Sequence, residues 1–429
     1  MVANVRRLSA WRPSTGHTPA RDYLTPHVEA PLLTPSPVLR QWTDAVDGER
    51  VPQAVLLAGP EGAELLPLAL KLVQYLQCTD RRPAAGAGDT AGFGESCNAC
   101  DACRASLRLA NPDVHFTFPV VGSKVTSQDH LPAWREAVLA NPYLSHGDWL
   151  RALTNDNKLG NVNRDEVMRI LHDVSLQRFT DGHKVVVIWG ADYLGDEANR
   201  LLKVIEEPPE RTLIVLITNR VERILPTILS RCRVYRLPLA PTGAIARLLA
   251  ERNPGLDPAR AEAIAYAAGG DIGRALAEAQ RAGAGEGDPD AGPDLAGWLR
   301  ACFAGRGAGI VKAAAAIAAL TRERQKYFLL RALRFVRELG VARAGTPTPL
   351  RLAPAEREVA VKLAGLLDWR QLADLAAELE RLRAAVERNA NGKIAFAASS
   401  VRIHRILARP AAAPAPAAAP GSAPPARAA

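Results

Sequence analysis

Residues 55–78 read VLLAGPEGAELLPLALKLVQYLQC, and this stretch predicts a buried strand, a glycine-containing turn and a helix. Strand, loop and helix in this order are typical of a phosphate-binding loop, whose pattern is G-x-x-x-x-G-K-[ST]. The positions that the pattern covers are degenerate here, and the loop carries Gly59, Gly62, Glu64, Leu65 and Leu66. The stretch therefore predicts the frame of a nucleotide-binding loop without the residues that bind the nucleotide.

Each replacement removes one part of nucleotide binding. Glu64 places a negative charge where phosphate oxygens would lie, Leu65 removes the lysine cation, and Leu66 removes the hydroxyl that holds magnesium. Lys71 cannot replace the lysine, because it lies about 9 Å further along the helix. We instead predict that the leucines of this helix are buried packing residues, namely Leu65, Leu66, Leu68 and Leu72.

The second half of an ATPase site is also missing. A strand ending in Asp or Asp-Glu should supply magnesium ligation and the base. The candidate strand KVVVIW (184–189) ends in Trp189 and is followed by Gly190, while Asp192 lies beyond the strand end. Because both halves of the site are lost, we expect neither productive ATP binding nor hydrolysis.

The composition indicates a globular chain of two or three domains. The 429 residues are 48% hydrophobic and 23% charged, with a net charge of +9 and a pI near 9.4. This charge fits contact with nucleic acid and equally fits a basic, solvated surface. The sequence has neither an apolar run of about 18 residues, which a membrane span needs, nor the apolar core of a signal peptide. We therefore expect a cytoplasmic protein in which disulfides are unfavourable.

Three short runs, QAVLLAG, HKVVVIWG and TLIVLITN, predict strands buried on both faces of a parallel sheet, whereas nearly everything after about residue 241 predicts helices. The apolar stripe of Ile310, Ala314 and Ile317 fits either subunit contact or an ordinary helical core. The predicted organisation is a flexible arm (1–30), an α/β domain (31–238) with a cysteine module (about 78–115) and an insertion (about 120–160), a small helical domain (239–282), a linker (283–294), a helical domain (295–408) and a disordered Ala/Pro-rich tail (409–429).

Four of the six cysteines have the spacing C-x18-C-x2-C-x2-C, and they are Cys78, Cys97, Cys100 and Cys103. Two-residue gaps let neighbouring thiolates converge on one ion, and four thiolates complete a closed tetrahedral zinc site. Such a site leaves no position for water, so the zinc would be structural. Iron–sulfur ligation is the minor alternative, and four free thiols in a reducing cell are the other.

The segment EANRLLKVIEEPPERTLIVLITNRVERILPTILSRC (197–232) resembles the central region of clamp-loader subunits of the AAA+ class. The matching positions are Asn199, Leu201, Leu202, Lys203, Ile205, Glu206, Glu207, Pro208, Pro209, Ser230, Arg231 and Cys232. GGDIGRAL (269–276) resembles the sensor 2 stretch of this family, with Arg274 in the arginine position. A four-cysteine insertion after the loop is also typical of bacterial clamp loaders. The resemblance covers roughly 38–280, and beyond 295 only the helical character agrees.

This resemblance implies an AAA+ P-loop-type α/β domain with a zinc-binding insertion, a small helical lid and an all-α collar. Because S-R-C is retained while the loop is degenerate, it also implies a non-hydrolysing subunit of the DNA polymerase III clamp loader. The implied partners are the gamma/tau and delta subunits, the sliding clamp indirectly, and primed DNA through the assembled complex.

In the family, the S-R-C arginine, here Arg231, enters the ATP site of the neighbouring subunit, where a guanidinium stabilises transition-state charge. The alternative is that Arg231 pairs with a local carboxylate. For Arg274 we expect a structural salt bridge, since the nucleotide that sensor 2 contacts should be absent. Cys232 is expected to pack in the interior.

Two other functions remain open on the sequence alone. The chain would be an active clamp-loader motor of the gamma/tau type, or another AAA+ ATPase with an atypical loop, if the isolated protein binds nucleotide. A zinc-dependent DNA-binding factor is the weaker alternative, because no base-reading motif is present.

Overall fold

The structure is a computed structural model that describes residues 32–34, 37–82, 94–154, 160–283, 295–345, 350, 352, 354–388 and 390–409. Contacts divide the chain into two compact units, Met1–Ala284 and Gly285–Ala429. The predicted arm lies outside the described residues, as does nearly all of the linker and of the tail. The finer domain boundaries stay predictions. Within the described part of the chain, every helix is too short or too polar to cross a membrane.

The first unit is built on a parallel sheet with five strands among the described residues, in the order β2-β3-β4-β1-β5. The strands are β1 (Ala54–Ala58), β2 (Val114–Thr117), β3 (Lys184–Trp189), β4 (Thr212–Thr218) and β5 (Arg233–Arg236). All residues of β1, β3 and β4 are buried, which confirms the three predicted strands and their burial on both faces. The edge strands β2 and β5 are only four residues long, and the sequence analysis missed both.

The register of the sheet brings the carboxyl ends of the central strands together. Ala58 of β1 pairs with Thr218 of β4, and Trp189 of β3 pairs with Ile217 of the same strand. The degenerate loop, the end of β3 and the end of β4 therefore meet at one edge of the sheet. Ligands of parallel α/β sheets bind at this edge.

Helices cover both faces of the sheet and form two apolar cores with it. The helices of the α/β part are α1 (Pro37–Asp47), α2 (Leu65–Gln77), α3 (Asp101–Leu107), α4 (Ser127–Ala140), α5 (His146–Leu153), α6 (Arg164–Ser175), α7 (Leu202–Glu206) and α8 (Pro226–Leu229). The four leucines predicted to be buried in α2 are each at most 3% exposed. Each fully buried leucine side chain contributes about 1.5–3 kcal/mol of hydrophobic stabilisation, so these four side chains stabilise the packing of α2 in the core.

The segment that carries Asn199, Leu201, Leu202 and Lys203 is not one regular helix. It forms a 3₁₀ helix, Gly195–Leu201, followed by the single α turn of α7. The chain leaves α7 at Glu207 because two prolines follow, and a residue before proline is disfavoured in helical geometry.

Three further helices complete the first unit: α9 (Thr242–Arg252), α10 (Pro258–Ala268) and α11 (Ile272–Gly283). They enclose a small core of their own, which partly buried Leu33 and Tyr143 join from the α/β part.

The second unit is all helical in its described residues. Its helices are α12 (Leu295–Ala304), α13 (Gly307–Ala318), α14 (Arg322–Arg343), α15 (Pro354–Leu366), α16 (Trp369–Glu387) and α17 (Gly392–Leu407). The predicted stripe of Ile310, Ala314 and Ile317 is buried within the unit. Packing inside the unit therefore accounts for that stripe, as the second of the two sequence interpretations held.

Candidate functional site: a filled nucleotide pocket and a four-cysteine cluster

Glu64 immediately precedes α2 and is only 1% exposed. Its two carboxylate oxygens accept the backbone N–H groups of Leu33 and Thr34, at 2.7 and 2.8 Å. A buried carboxylate needs such donors, and the amino end of a helix favours a negative charge. The side chain that repels phosphate thus has a structural role, because it fastens the segment before α1 to the loop.

Lys71 does not offer a replacement cation at the loop. The side chain is largely buried, and burial lowers its pKa, while the charges of Glu95 and Glu64 act in the opposite direction. The negative charges nearest to the Lys71 ammonium are therefore carboxylates of the protein itself.

The space in front of the loop is filled by the chain itself. Residues 142–146, which run from the α4–α5 connection to the first residue of α5, line a small cavity. The loop residues Glu61–Ala63 and Leu65–Pro67, the ends of β3 and β4, and Asp271 line the same cavity. The remaining cavity has a volume of about 30 Å³, whereas pockets for small ligands are typically about 300–1,000 Å³. The described structure therefore leaves room here for about one water and not for a nucleotide.

The carboxylate that follows β3 is engaged within the protein. Asp192 is buried and accepts a hydrogen bond from Thr218 Oγ1 at 3.0 Å. Its second oxygen lies 3.4 Å from the Arg220 guanidinium, and that guanidinium stacks over the ring of Tyr193. Asp192 thus joins the ends of β3 and β4.

His146 is the unexpected member of this site. Its ring lies 4.2 Å from that of Trp189, and a Cβ at Gly190 would lie 3.1 Å from His146 Nε2. Gly190 has a φ of +88°, so glycine is favoured there by conformation as well as by space. Burial, helped by the charge of Arg220, lowers the pKa of His146 to about 3. The ring is therefore neutral and acts as a packing group.

The four predicted cysteines form one cluster, with their sulfur atoms all within 4.8 Å of one another. The Cys78–Cys97 and Cys97–Cys103 sulfur distances are 3.6 and 3.9 Å. Zinc–sulfur bonds of about 2.3 Å in a tetrahedron require sulfur pairs about 3.8 Å apart. The cluster fits a four-thiolate metal site, as the spacing predicted.

Backbone donors around the cluster favour thiolates. Cys97 Sγ accepts N–H groups from Ala99 and Cys100, which lower the pKa of Cys97. Asn98, between Cys97 and Ala99, has a left-handed φ of +57°. Burial opposes ionisation of Cys100, but the N–H groups of Thr79 and Cys103 lower its pKa to about 6. Burial raises the pKa values of Cys78 and Cys103, the two inner thiols. Two inner thiols would therefore need a cation to ionise at neutral pH.

Arg231 lies on the surface after α8. Its Nε donates to Glu206 Oε2 at 2.9 Å, and its Nη1 donates to the Thr227 carbonyl at 3.0 Å. The side chain of Arg231 is 34% exposed and that of Glu206 is 55% exposed. In the single chain the local carboxylate pairing is thus present, and it holds the guanidinium at the protein surface.

The remaining sequence-derived residues have structural surroundings. Cys232 is half-buried against the core between the sheet and α6–α8, and burial raises its pKa to about 12. The backbone N–H of Arg274 donates to Asp271 Oδ1 at 3.0 Å in the first turn of α11. The salt bridge expected of the Arg274 side chain stays a prediction.

The sequence analysis did not single out Tyr143, His146, Leu33 or Thr34. They lie 30 or more positions from the loop residues that they meet, and no local pattern reports such contacts. The lone signal was Glu64 itself, because a carboxylate in an apolar helix start requires donors from elsewhere.

The sequence of this chain is similar to those of several known proteins. A sequence model described as "DNA polymerase III, delta subunit" matches residues 35–240, just under half of the chain. The "DNA polymerase III subunit delta'" of Bacillus subtilis is 24% identical over 49% of this chain and 50% of its own length. The protein of the same name from Pseudomonas aeruginosa is 28% identical over 51% and 53%, respectively.

The chain spans about half the length of these curated relatives. A "DNA polymerase III subunit gamma/tau" from Mycobacterium tuberculosis is also similar, at 26% identity over 52% of this chain and 29% of that protein. Among solved structures, a gamma subunit-related protein from Thermotoga maritima covers 86% of this chain and 99% of its own, at 14% identity. Its TM-score of 0.33 is too low to support an argument.

The buried His146 predicts a specific pH dependence of stability. Its folded pKa is about 3, against 6.5 when unfolded, so the unfolded chain binds more protons as the pH falls below 6.5. The unfolding free energy should therefore decrease by about 1–2 kcal/mol from this residue between pH 7 and pH 5. Urea titrations of wild type and His146→Gln should show the variant with the shallower pH dependence. Exposed His172→Gln is the control, and equal slopes for wild type and His146→Gln would contradict the assignment.

Proposed function

We propose that this protein is a non-hydrolysing subunit of the DNA polymerase III clamp loader, equivalent to delta'. The observation that carries the proposal is a filled nucleotide pocket in a chain that retains the S-R-C arginine. The family match and the relatives named delta' support the same role. Its partners would be the gamma/tau and delta subunits, with the sliding clamp and primed DNA reached through the assembled complex.

The second candidate is an active motor of the gamma/tau type, which the similarity to gamma/tau proteins supports. Three features disfavour this candidate. Glu64 binds backbone N–H groups of the chain, and Asp192 accepts a hydrogen bond from Thr218. Residues 142–146 occupy the space in front of the loop. A motor would require all three to rearrange before magnesium and phosphate could bind.

The four-cysteine cluster is proposed as a structural zinc site. All four ligand positions are protein thiols, so the site is closed to water and has no catalytic position. The metal would hold Cys97, Cys100 and α3 against the end of α2. Iron–sulfur ligation remains distinguishable by its visible absorption.

Elemental analysis tests the zinc proposal. The purified wild-type protein should contain about one zinc per chain, the stoichiometry of a closed four-thiolate site. Cys97→Ser should lose most of the metal, because an alcohol does not supply the thiolate. Cys302→Ser is the matched control, since Cys302 is a buried thiol in the second unit. Zinc near background in the reduced wild type, or an iron content of similar size, would contradict the proposal.

Arg231 is proposed to complete the ATP site of a neighbouring subunit. Its ion pair with Glu206 lies at the surface, where such pairs are worth about 0–1 kcal/mol. The guanidinium can therefore exchange this partner for phosphate oxygens at small cost. The pairing would keep the side chain extended and near its place of use before the subunits meet.

Reconstitution of the clamp loader with Arg231→Ala tests this role and the assembly it requires. The variant should co-purify with the other clamp-loader subunits, because the pair that it loses contributes little to stability. DNA- and clamp-stimulated ATP hydrolysis should fall partially, since an arginine supplied in trans is worth about 10³-fold or more at one site only. Clamp loading should fall more than total hydrolysis.

Two further variants make the result specific. Arg231→Lys should not restore activity, because lysine keeps the charge but lacks the forked donors. Arg223→Ala, which removes an exposed arginine eight positions earlier, should behave like wild type. If Arg231→Ala assembles and retains both rates, the arginine has only its local role. Failure of the wild-type chain to assemble would remove the clamp-loader proposal itself.

A further inference from the structure

Hydrogen bonds and apolar packing anchor residues 142–146 in the α/β part of the first unit. Ser145 Oγ accepts the N–H of Asp148 at 3.0 Å and so caps α5. Trp149, which is fully buried, donates its indole N–H to the Pro119 carbonyl at 3.0 Å. Leu144 is buried in the core beneath α2. The segment is thus a constructed part of the α/β core and not a loop lying loosely over a pocket.

The front of the same segment contacts the three-helix group α9–α11. Tyr143 packs against the core of that group. A Cβ at Gly273, in the first turn of α11, would lie 2.6 Å from the Tyr143 carbonyl oxygen. Burial and the nearby charge of Glu64 raise the pKa of the Tyr143 hydroxyl, so the phenol remains neutral beside the carboxylate. Tyr143 therefore lies where the degenerate loop and the three-helix group meet.

Leu33 makes a second contact between the loop region and the three-helix group. Leu33 also packs against the core of α9–α11, and its backbone N–H is bound by Glu64. Directly beside it, a Cβ at Gly62 would lie 2.6 Å from Asp271 Cβ, so the loop itself touches the start of α11. The Glu64 carboxylate thus binds the backbone N–H groups of Leu33 and Thr34, and Leu33 in turn packs against α9–α11.

We propose that residues 142–146, together with Glu64 and its bound Leu33, form an internal ligand of the degenerate pocket. This internal ligand fills the space between the loop and α9–α11 and couples the three-helix group to the sheet without a nucleotide. The proposal concerns the folded chain alone. Its failure would leave the clamp-loader role untouched, and failure of that role would leave this inference untouched.

Hydrogen–deuterium exchange of the full-length protein tests the coupling. Tyr143→Ala removes the ring that reaches the core of α9–α11, so local opening of these helices should become easier. Amide exchange in α9–α11 should accelerate at least about tenfold, while α16 and α17 in the second unit should stay within about twofold of wild type. Tyr143→Phe is the matched control, because it keeps the ring, and it should change exchange by less than about threefold.

Glu64→Gln is the second variant and opens the other connection. A glutamine oxygen can accept one of the two backbone N–H groups, but its amide nitrogen cannot accept the other. Exchange in α9–α11 should again accelerate, with β3 and β4 unchanged. If Tyr143→Ala accelerates amide exchange in β3 and β4 as much as in α9–α11, the first unit has unfolded and this variant does not report on the coupling. The test then rests on Glu64→Gln, judged by the same comparison of α9–α11 with β3 and β4. Unchanged exchange of α9–α11 in the deciding variant would overturn the proposal.

Discussion

The carboxylate of Glu64 is buried before the first turn of α2 and accepts two backbone N–H groups from residues 33 and 34. A charge in this position has to be satisfied, and in a nucleotide-binding loop the same place would face phosphate. Here the hydrogen-bond donors that satisfy the carboxylate are backbone N–H groups of the chain itself. Residues 33 and 34 are thereby bound to the loop, and Leu33 packs against the core of α9–α11. One side chain thus fixes the positions of Leu33 and Thr34 beside the loop.

The rest of the site follows from the same constraint. Helix α2 buries leucines at the positions of the lysine and the hydroxyl, and β3 ends in Trp189 against His146. Asp192, which lies beyond the end of β3, accepts a hydrogen bond from Thr218 and pairs with Arg220. What remains available to another molecule is at the surface, where Arg231 is held by a weak and exchangeable pair.

Much of this was predictable because the decisive signals are local. Fully apolar runs gave β1, β3 and β4, since a strand buried on both faces needs no alternation. The spacing of Cys78, Cys97, Cys100 and Cys103 gave the cluster, because two-residue gaps constrain where thiols can point. The edge strands β2 and β5 were missed, as each has four residues and mixed polarity. The pocket filling by Tyr143 and His146 could not be predicted, because it depends on contacts between distant segments.

The central claim is that the pocket before the loop belongs to the protein itself, and calorimetry with magnesium-ATP tests it most directly. The isolated wild-type chain should show no measurable heat of binding. The triple variant Glu64→Gly, Leu65→Lys and Leu66→Thr should restore neither tight binding nor hydrolysis, because residues 142–146 would still fill the space and Trp189 and Gly190 still lack carboxylates. A micromolar dissociation constant for the wild-type chain would contradict the account and favour an active ATPase.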